Sequence, residues 1–217
     1  MSFDRIARHY RLLETIGFGP DLQRARVFWV DKITRPQRVL ILGEGNGRFL
    51  CELLRVYPNV TVDCVDASVQ MLKLARARVL ATRPESFAQV CFLHQDILTW
   101  STQDAYDLLV THFFLDCFRC DEMKAIIDKL TRAAAPNAAW LLADFTIPAR
   151  GVLVRAHAKL CVRMMYWLFH SVAGISADEL VDPSPYLQAN GFARTSCQLS
   201  RTGMLKSELW QRNRTPR

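Results

Sequence analysis

Long hydrophobic runs are missing from this sequence. No stretch reaches the roughly 20 uncharged residues of a membrane-spanning helix; the nearest, Val152–Gly174, is interrupted by Arg155, His157, Lys159 and Arg163. Glycine and proline are sparse, nine of each in 217 residues, which excludes collagen-like and low-complexity chains. The cysteines are odd in number, seven, and irregular in spacing, and Cys51, Cys64, Cys91 and Cys161 lie inside apolar runs. Such thiols serve as small hydrophobes in a reducing compartment, so the expectation is a cytoplasmic protein without disulfides. Cys117 and Cys120 form one C-x-x-C with no second ligand pair at matched spacing, and no metal site is expected. The opening MSFDRIARHYRLLE mixes acids and bases and lacks an apolar core, unlike a secretory signal.

Acids are outnumbered as well, 21 against 28 basic residues, for a net charge of +7. The cations are scattered, and only Arg212–Arg217 forms a dense run, so the balance reads as a solvated surface. With 50% hydrophobic residues, a chain of this length buries one full core as a single globular domain.

Amphipathic helices are expected over residues 3–17 and 21–33, ended by Gly17, Gly19-Pro20 and Pro36. From Arg38 onward strands and helices alternate. Strands are expected at Val39–Leu42, Val60–Val65, Val90–His94, Asp107–Thr111 and Ala138–Phe145, with helices at Arg48–Val56, Ser68–Ala81 and Asp121–Ala135. That alternation calls for a parallel sheet covered on both faces. A long helix over Val152–Val172 and a second over Ala177–Asn190, broken around Pro183 and Pro185, follow. Phe192–Leu199 and Met204–Gln211 then read as an antiparallel hairpin that completes the sheet.

Gly43-Glu44-Gly45-Asn46-Gly47 sits between a buried strand and a helix, where a ligand can approach the backbone and free N–H groups meet a negative group. Asp66 closes the second strand, at the distance from the glycine turn where a carboxylate accepts both hydroxyls of a ribose; the alternative is an N-cap for the next helix. Asp96, in His94-Gln95-Asp96-Ile97, ends the third strand, where its side chain and the following N–H can meet an adenine edge. The third glycine comes too early for the dinucleotide pattern G-x-G-x-x-G, and Leu50 stands in the expected place.

The segments VLILGEGNGRF, VDCVDAS, QDIL, YDLLVTHFFLD and the glycine-poor APNAAWLLADF resemble those of class I S-adenosylmethionine-dependent methyltransferases over nearly the whole chain. The resemblance implies a Rossmann-like three-layer α/β sandwich whose seven-stranded, mostly parallel sheet ends in an antiparallel C-terminal hairpin. It implies an N-terminal helical cap at 1–36, a domain binding S-adenosyl-L-methionine at 37–217, and cofactor contacts from Gly43, Glu44, Gly45, Gly47, Asp66, Ala67, Asp96, Ile97 and Thr111. The opening FDRIARHYRLLE is similar to the start of the ubiquinone/menaquinone C-methyltransferase group, which would lay Tyr10 over the cofactor; the alternative is a core aromatic. Ile41 stands where the family often has an acid, and Glu44 would substitute by facing the methionine ammonium, or point to solvent. The run His112-Phe113-Phe114-Leu115-Asp116 differs from that of the quinone-methylating group, so quinone methylation is not adopted.

In this fold the end of the fourth strand faces the transferring methyl, which makes His112 the first candidate base and Asp116 the second; His112 as a packing residue is the alternative. Phe113 and Phe114 form a dry wall near the sulfonium, or pack in the core. Arg155, Lys159 and Arg163 recur every four residues beside a wide apolar face. That helix reads as a wall of a greasy acceptor pocket, as a surface for anionic headgroups, or as a core helix with a solvated edge. The expected function is methyl transfer to a small lipophilic or aromatic acceptor, with non-methyl chemistry, binding without turnover, or RNA modification as alternatives. No Asn/Asp-Pro-Pro-aromatic run follows the fourth strand and no basic RNA-binding module is appended, so nucleic acid is not the expected partner.

Overall fold

Strand β1 (Arg38–Leu42) is buried on both faces, and its alternate residues part into two cores. Val39 and Ile41 pack with helix α2 (Arg48–Val56) and helix α3 (Val69–Thr82). Leu40 and Leu42 pack with helix α4 (Cys120–Ala133). This is the side-chain alternation of a strand in a doubly covered parallel sheet. The computed structural model describes residues 20–149, 151–173 and 175–213. The helix expected at 3–17, Tyr10, and most of the N-terminal cap lie outside those residues.

The sheet has seven strands in the order β3-β2-β1-β4-β5-β7-β6. Strands β1, β2 (Thr61–Asp66), β3 (Val90–His94), β4 (Tyr106–His112) and β5 (Ala134–Phe145) run parallel. Strand β7 (Leu205–Arg212) inserts antiparallel between β5 and β6 (Phe192–Leu199). The α/β sandwich with an antiparallel closing hairpin is therefore as the sequence implied. Trp140 and Trp210 are directly opposed across β5 and β7, both fully buried, and Trp140 meets the Phe192 ring edge-on at 5.3 Å.

Three boundaries differ from expectation by more than one residue. Helix α1 (Asp21–Val27) stops short of residue 33. Beyond it Val30 N–H reaches Val27 O and Lys32 N–H reaches Trp29 O, tighter turns that bring Val30 into the α2–α3 core. The last turn expected of α4 is instead the start of β5, because Ala134 pairs with Tyr106 across a register shift. Of the helix expected at 177–190 only α6 (Ser184–Ala189) forms. Pro183 and Pro185 restrict the residues before them, and the N–H groups of Ser176 and Ala177 bond Cys117 O instead. The long helix α5 (Val152–Ala173) forms as expected, and Tyr166 pins it by donating to Asp116 O at 3.1 Å.

Candidate active site

The parallel strands bring their C-terminal ends to one edge, and the strand order reverses direction between β1 and β4, where open α/β sheets hold ligands. A cavity opens there. Its floor is the turn after β1, its side the end of β2, and its far rim the segment after β3.

Glycine is required at two points of the turn. Gly43 has φ +62, and a Cβ on it would stand 2.5 Å from Cδ2 of Phe114. Gly47 has φ +83, and a Cβ there would stand 2.7 Å from the Cα of Ala75 in α3, so the glycine permits α2 to start against that helix. Above Gly45, by contrast, no atom lies within 4 Å of where a side chain would begin, and this glycine lines the cavity.

Asp66 ends β2 at the cavity and its Oδ1 accepts the Ser68 N–H at 2.8 Å. The N-cap of α3 is Ser68, whose hydroxyl accepts the Met71 N–H at 3.1 Å, so capping does not fall to Asp66. Across the cavity Asp96 turns on itself in the same way, Oδ1 accepting the Leu98 N–H at 2.9 Å. Ala67 and the buried Ile97 complete these walls.

Phe113 and Phe114 both border the cavity, which consecutive residues of a straight strand cannot do. The reason is the backbone of Phe113, which has φ +52, the one positive φ outside glycine among the described residues. Its N–H still bonds Ala143 O at 2.7 Å, so the chain leaves the sheet abruptly and turns both rings to one side. The Phe113 ring lies 5.1 Å from the Phe145 ring and 5.1 Å from the Arg26 guanidinium. Sequence reasoning missed Arg26, which comes from α1 and carries no local signal of its placement. It also gave no site role to Met71, Gln95, Cys117 or Phe118 in the lining, although Gln95 stands in His94-Gln95-Asp96-Ile97 and Cys117 in the C-x-x-C. Burial pushes the Cys117 thiol well up, so it is held protonated.

The other site candidates stand elsewhere. Thr111 and His112 alternate on β4 and project to opposite faces of the sheet. The buried Thr111 hydroxyl accepts the Trp140 indole N–H at 2.8 Å in the α4 core. His112 is buried on the α2 side, edge-on to Phe49 at 4.5 Å, and Nδ1 lacks a hydrogen-bond partner among the described residues. Burial, with the Arg26 charge, holds its imidazole well below the usual range and hence neutral. Glu44 turns away from the main cavity and shares a small recess with Arg26, Phe49 and His112. There its Oε1 accepts the Leu50 N–H at 3.0 Å in the first turn of α2, and burial pushes its carboxyl up to about 7. Asp116 lies behind the wall rather than in it; burial pushes it up to about 7. Burial first, and then the neighbouring Asp116, raise the carboxyl of Asp144 well above the usual range, against the pull of Lys206. Gathered at the main cavity are thus Gly43, Gly45, Asp66, Ala67, Asp96 and Ile97, and not Glu44, Gly47, Thr111, His112 or Asp116.

Residues 39–137, which hold all of the cavity's lining among the described residues, match the family model for a methyltransferase domain. A demethylmenaquinone methyltransferase of Thermotoga maritima is 38% identical over 79 residues, 36% of this chain and 34% of that protein. Among solved structures, an O-methyltransferase family protein of Burkholderia thailandensis superposes with a TM-score of 0.68 at 17% identity, covering 97% of this chain and 58% of its own. The N-methyltransferase NodS of Bradyrhizobium japonicum, in complex with S-adenosyl-L-homocysteine, does so with a TM-score of 0.61 at 14% identity, covering 97% and 89%. The chain thus spans about a third of the length of the curated relative it matches, and under two thirds of the Burkholderia protein. Strand order and the position of the cavity agree with the domain match, and residues 39–137 are similar to a methyltransferase domain within an α/β fold shared with these methyltransferase structures.

Proposed function

We propose that this protein binds S-adenosyl-L-methionine in the cavity at the ends of β1–β4 and transfers its methyl group to a small, hydrophobic acceptor. The observation that carries the reading is the convergence of Gly45, Asp66 and Asp96, each from a different connection, on one cavity closed by phenylalanine rings. The open space above Gly45 is a cradle that any side chain would fill, as a ligand lying against the backbone requires. Asp66 is the acceptor for the ribose hydroxyls and Asp96, with the N–H that follows, the partner of the adenine edge.

The bound cofactor supplies a methyl group on a positively charged sulfur, open to in-line displacement. The residues of this chain have two tasks: to align the acceptor and to keep water out. Good alignment alone contributes roughly 7–11 kcal/mol to such a barrier. Phe113, Phe114 and Phe118 present ring faces and edges that tolerate a cation and exclude solvent. Asp116 lies behind the wall and His112 in the recess on the α2 side of the sheet, and in this reading neither moves a proton. The apolar lining favours a lipophilic acceptor, and so does the local similarity to a protein named for demethylmenaquinone.

Thermal unfolding with S-adenosylmethionine, S-adenosylhomocysteine, NAD or no ligand tests the reading, on wild type and Asp66→Ala. A ligand at 100 times its Kd adds about 2.7 kcal/mol, a rise of roughly 5–10 °C in Tm for a domain of this size. The expected result is a rise with both adenosyl ligands that the variant loses. No rise, or a rise with NAD alone, overturns the assignment. Release of S-adenosylhomocysteine with lipophilic phenols and quinols, and not with RNA, tests the acceptor class.

A further inference from the structure

Helix α5 carries an exposed face that the cofactor site does not use. Val152, Leu160 and Met164 are 84%, 57% and 62% exposed, large side chains in open solvent. Beside them Arg155, Lys159 and Arg163 are exposed too, as is Ala156. Spaced four apart, the two sets form adjacent rows, one cationic and one apolar, along about 18 Å of one face. The opposite face, Ala158, Val162 and Tyr166, is buried against the domain. The helix is therefore fixed with its stripe outward.

The charge that this helix carries is all of one sign. No acidic residue occurs anywhere between Asp144 and Asp178. Among the described residues none of the three cations forms an ion pair, whereas Arg24, Arg38, Arg55, Arg119 and Arg194 all do. An exposed apolar row is unfavourable in water, and a neighbouring acid would have been the simplest local partner for each cation. Both features suit one surface, which offers anionic headgroups at the level of the cations and hydrocarbon just beneath them. No helix among the described residues is long and apolar enough to cross a membrane, so contact of this kind is contact along the helix.

We infer that α5 docks this protein onto an anionic lipid surface, with Arg155, Lys159 and Arg163 at the headgroups and Val152, Leu160 and Met164 inserted below them. The inference does not depend on the methyl-transfer reading. Each cation near a negatively charged bilayer contributes roughly a fivefold gain in partition. Reversing three therefore predicts a drop of about a hundredfold or more.

The test is co-sedimentation of the full chain with phosphatidylcholine vesicles, with and without about 30 mol% phosphatidylglycerol, at low and high salt. Wild type should bind the anionic vesicles, release in high salt, and ignore the neutral ones. Arg155→Glu with Lys159→Glu and Arg163→Glu should abolish binding, and Leu160→Ser with Met164→Ser should weaken it. Reversing Arg35, Lys73 and Arg201, exposed cations off this face, changes the total charge equally and should leave most of it. Unchanged thermal unfolding in all variants shows that they fold. Absence of wild-type binding, equal binding to neutral vesicles, or equal loss with the off-face variant overturns the inference. So does a stripe variant that instead alters the sedimentation coefficient of a dimer, which would make a second copy the occupant.

Discussion

The ring of Phe114 covers the Cα of Gly43 so closely that a Cβ on the glycine would stand 2.5 Å from its Cδ2. The turn after β1 and the segment after β4 thus hold one another in register across the cavity. The three glycines of the turn have different neighbours, and substitution should separate them.

Gly47→Ala should be the most damaging, since the obstacle is helix backbone that cannot step aside and φ is +83. Overpacking and the left-handed backbone together predict a loss of about 2–4 kcal/mol, read by urea unfolding. Gly45→Ala meets open space and should cost only about 1 kcal/mol for its positive φ, yet abolish the Tm rise with S-adenosylhomocysteine. If Gly45→Ala still binds, the cradle is not where the ligand lies.

Thr111 offers a separation of core from site. Thr111→Val removes the acceptor of the Trp140 indole and leaves a buried N–H unpaired, at a cost of about 1–3 kcal/mol. Its hydroxyl faces α4, so the Kd for S-adenosylhomocysteine by calorimetry should stay unchanged. A tenfold loss of affinity would return Thr111 to the site.

The cap of α3 can be removed without touching the cavity carboxylate. Ser68→Ala should lose about 1 kcal/mol in chemical unfolding. Asp66→Ala should leave the cap intact and lose ligand binding. The two profiles exchanged would mean that the sequence alternative, Asp66 as the structural residue, was correct.

Much of this was legible because it is local. Helix α2 begins and ends at Arg48 and Val56, and β3 at Val90 and His94, where apolar pattern and glycine placed them. The glycine turn, Asp66 and Asp96 followed from motif spacing on parallel strands, whose ends must meet at one edge. Side-chain facing was less legible. After β4 the backbone turn at Phe113 decides what looks into the cavity, and it has no composition signal. Glu44 turns to α2 because an unsatisfied helix N–H lies within reach. Arg26 arrives from a helix distant in sequence, which no local pattern can announce.

Glu44 also gives the stability a pH dependence. Its carboxyl is pushed up to about 7 in the fold, mainly by burial, from an ordinary value of 4.5. A raised carboxylate makes the folded state hold its proton longer than the unfolded chain does. Its share of stability is therefore full at low pH and declines as pH rises from about 4.5 to about 7. Glu44→Gln keeps an acceptor for Leu50 and removes the titration. Relative to wild type the variant should gain between pH 5 and pH 7.5, by up to about 3 kcal/mol, in unfolding at the two pH values. A constant difference would show that Glu44 titrates as it does in water.

Strand β7 sits inside the sheet, while β6, made before it, has β7 as its sheet neighbour. The order of synthesis and the order of assembly are thus opposed at this edge. While β6 emerges from the ribosome, the β5 edge is still bare, with Trp140 and Leu142 unopposed. Strand β7 joins both neighbours, bringing Trp210 against Trp140 and giving β6 its only partner in the sheet among the described residues. A chain interrupted before Leu205 loses two strands at once and presents the β5 edge to other chains as a template.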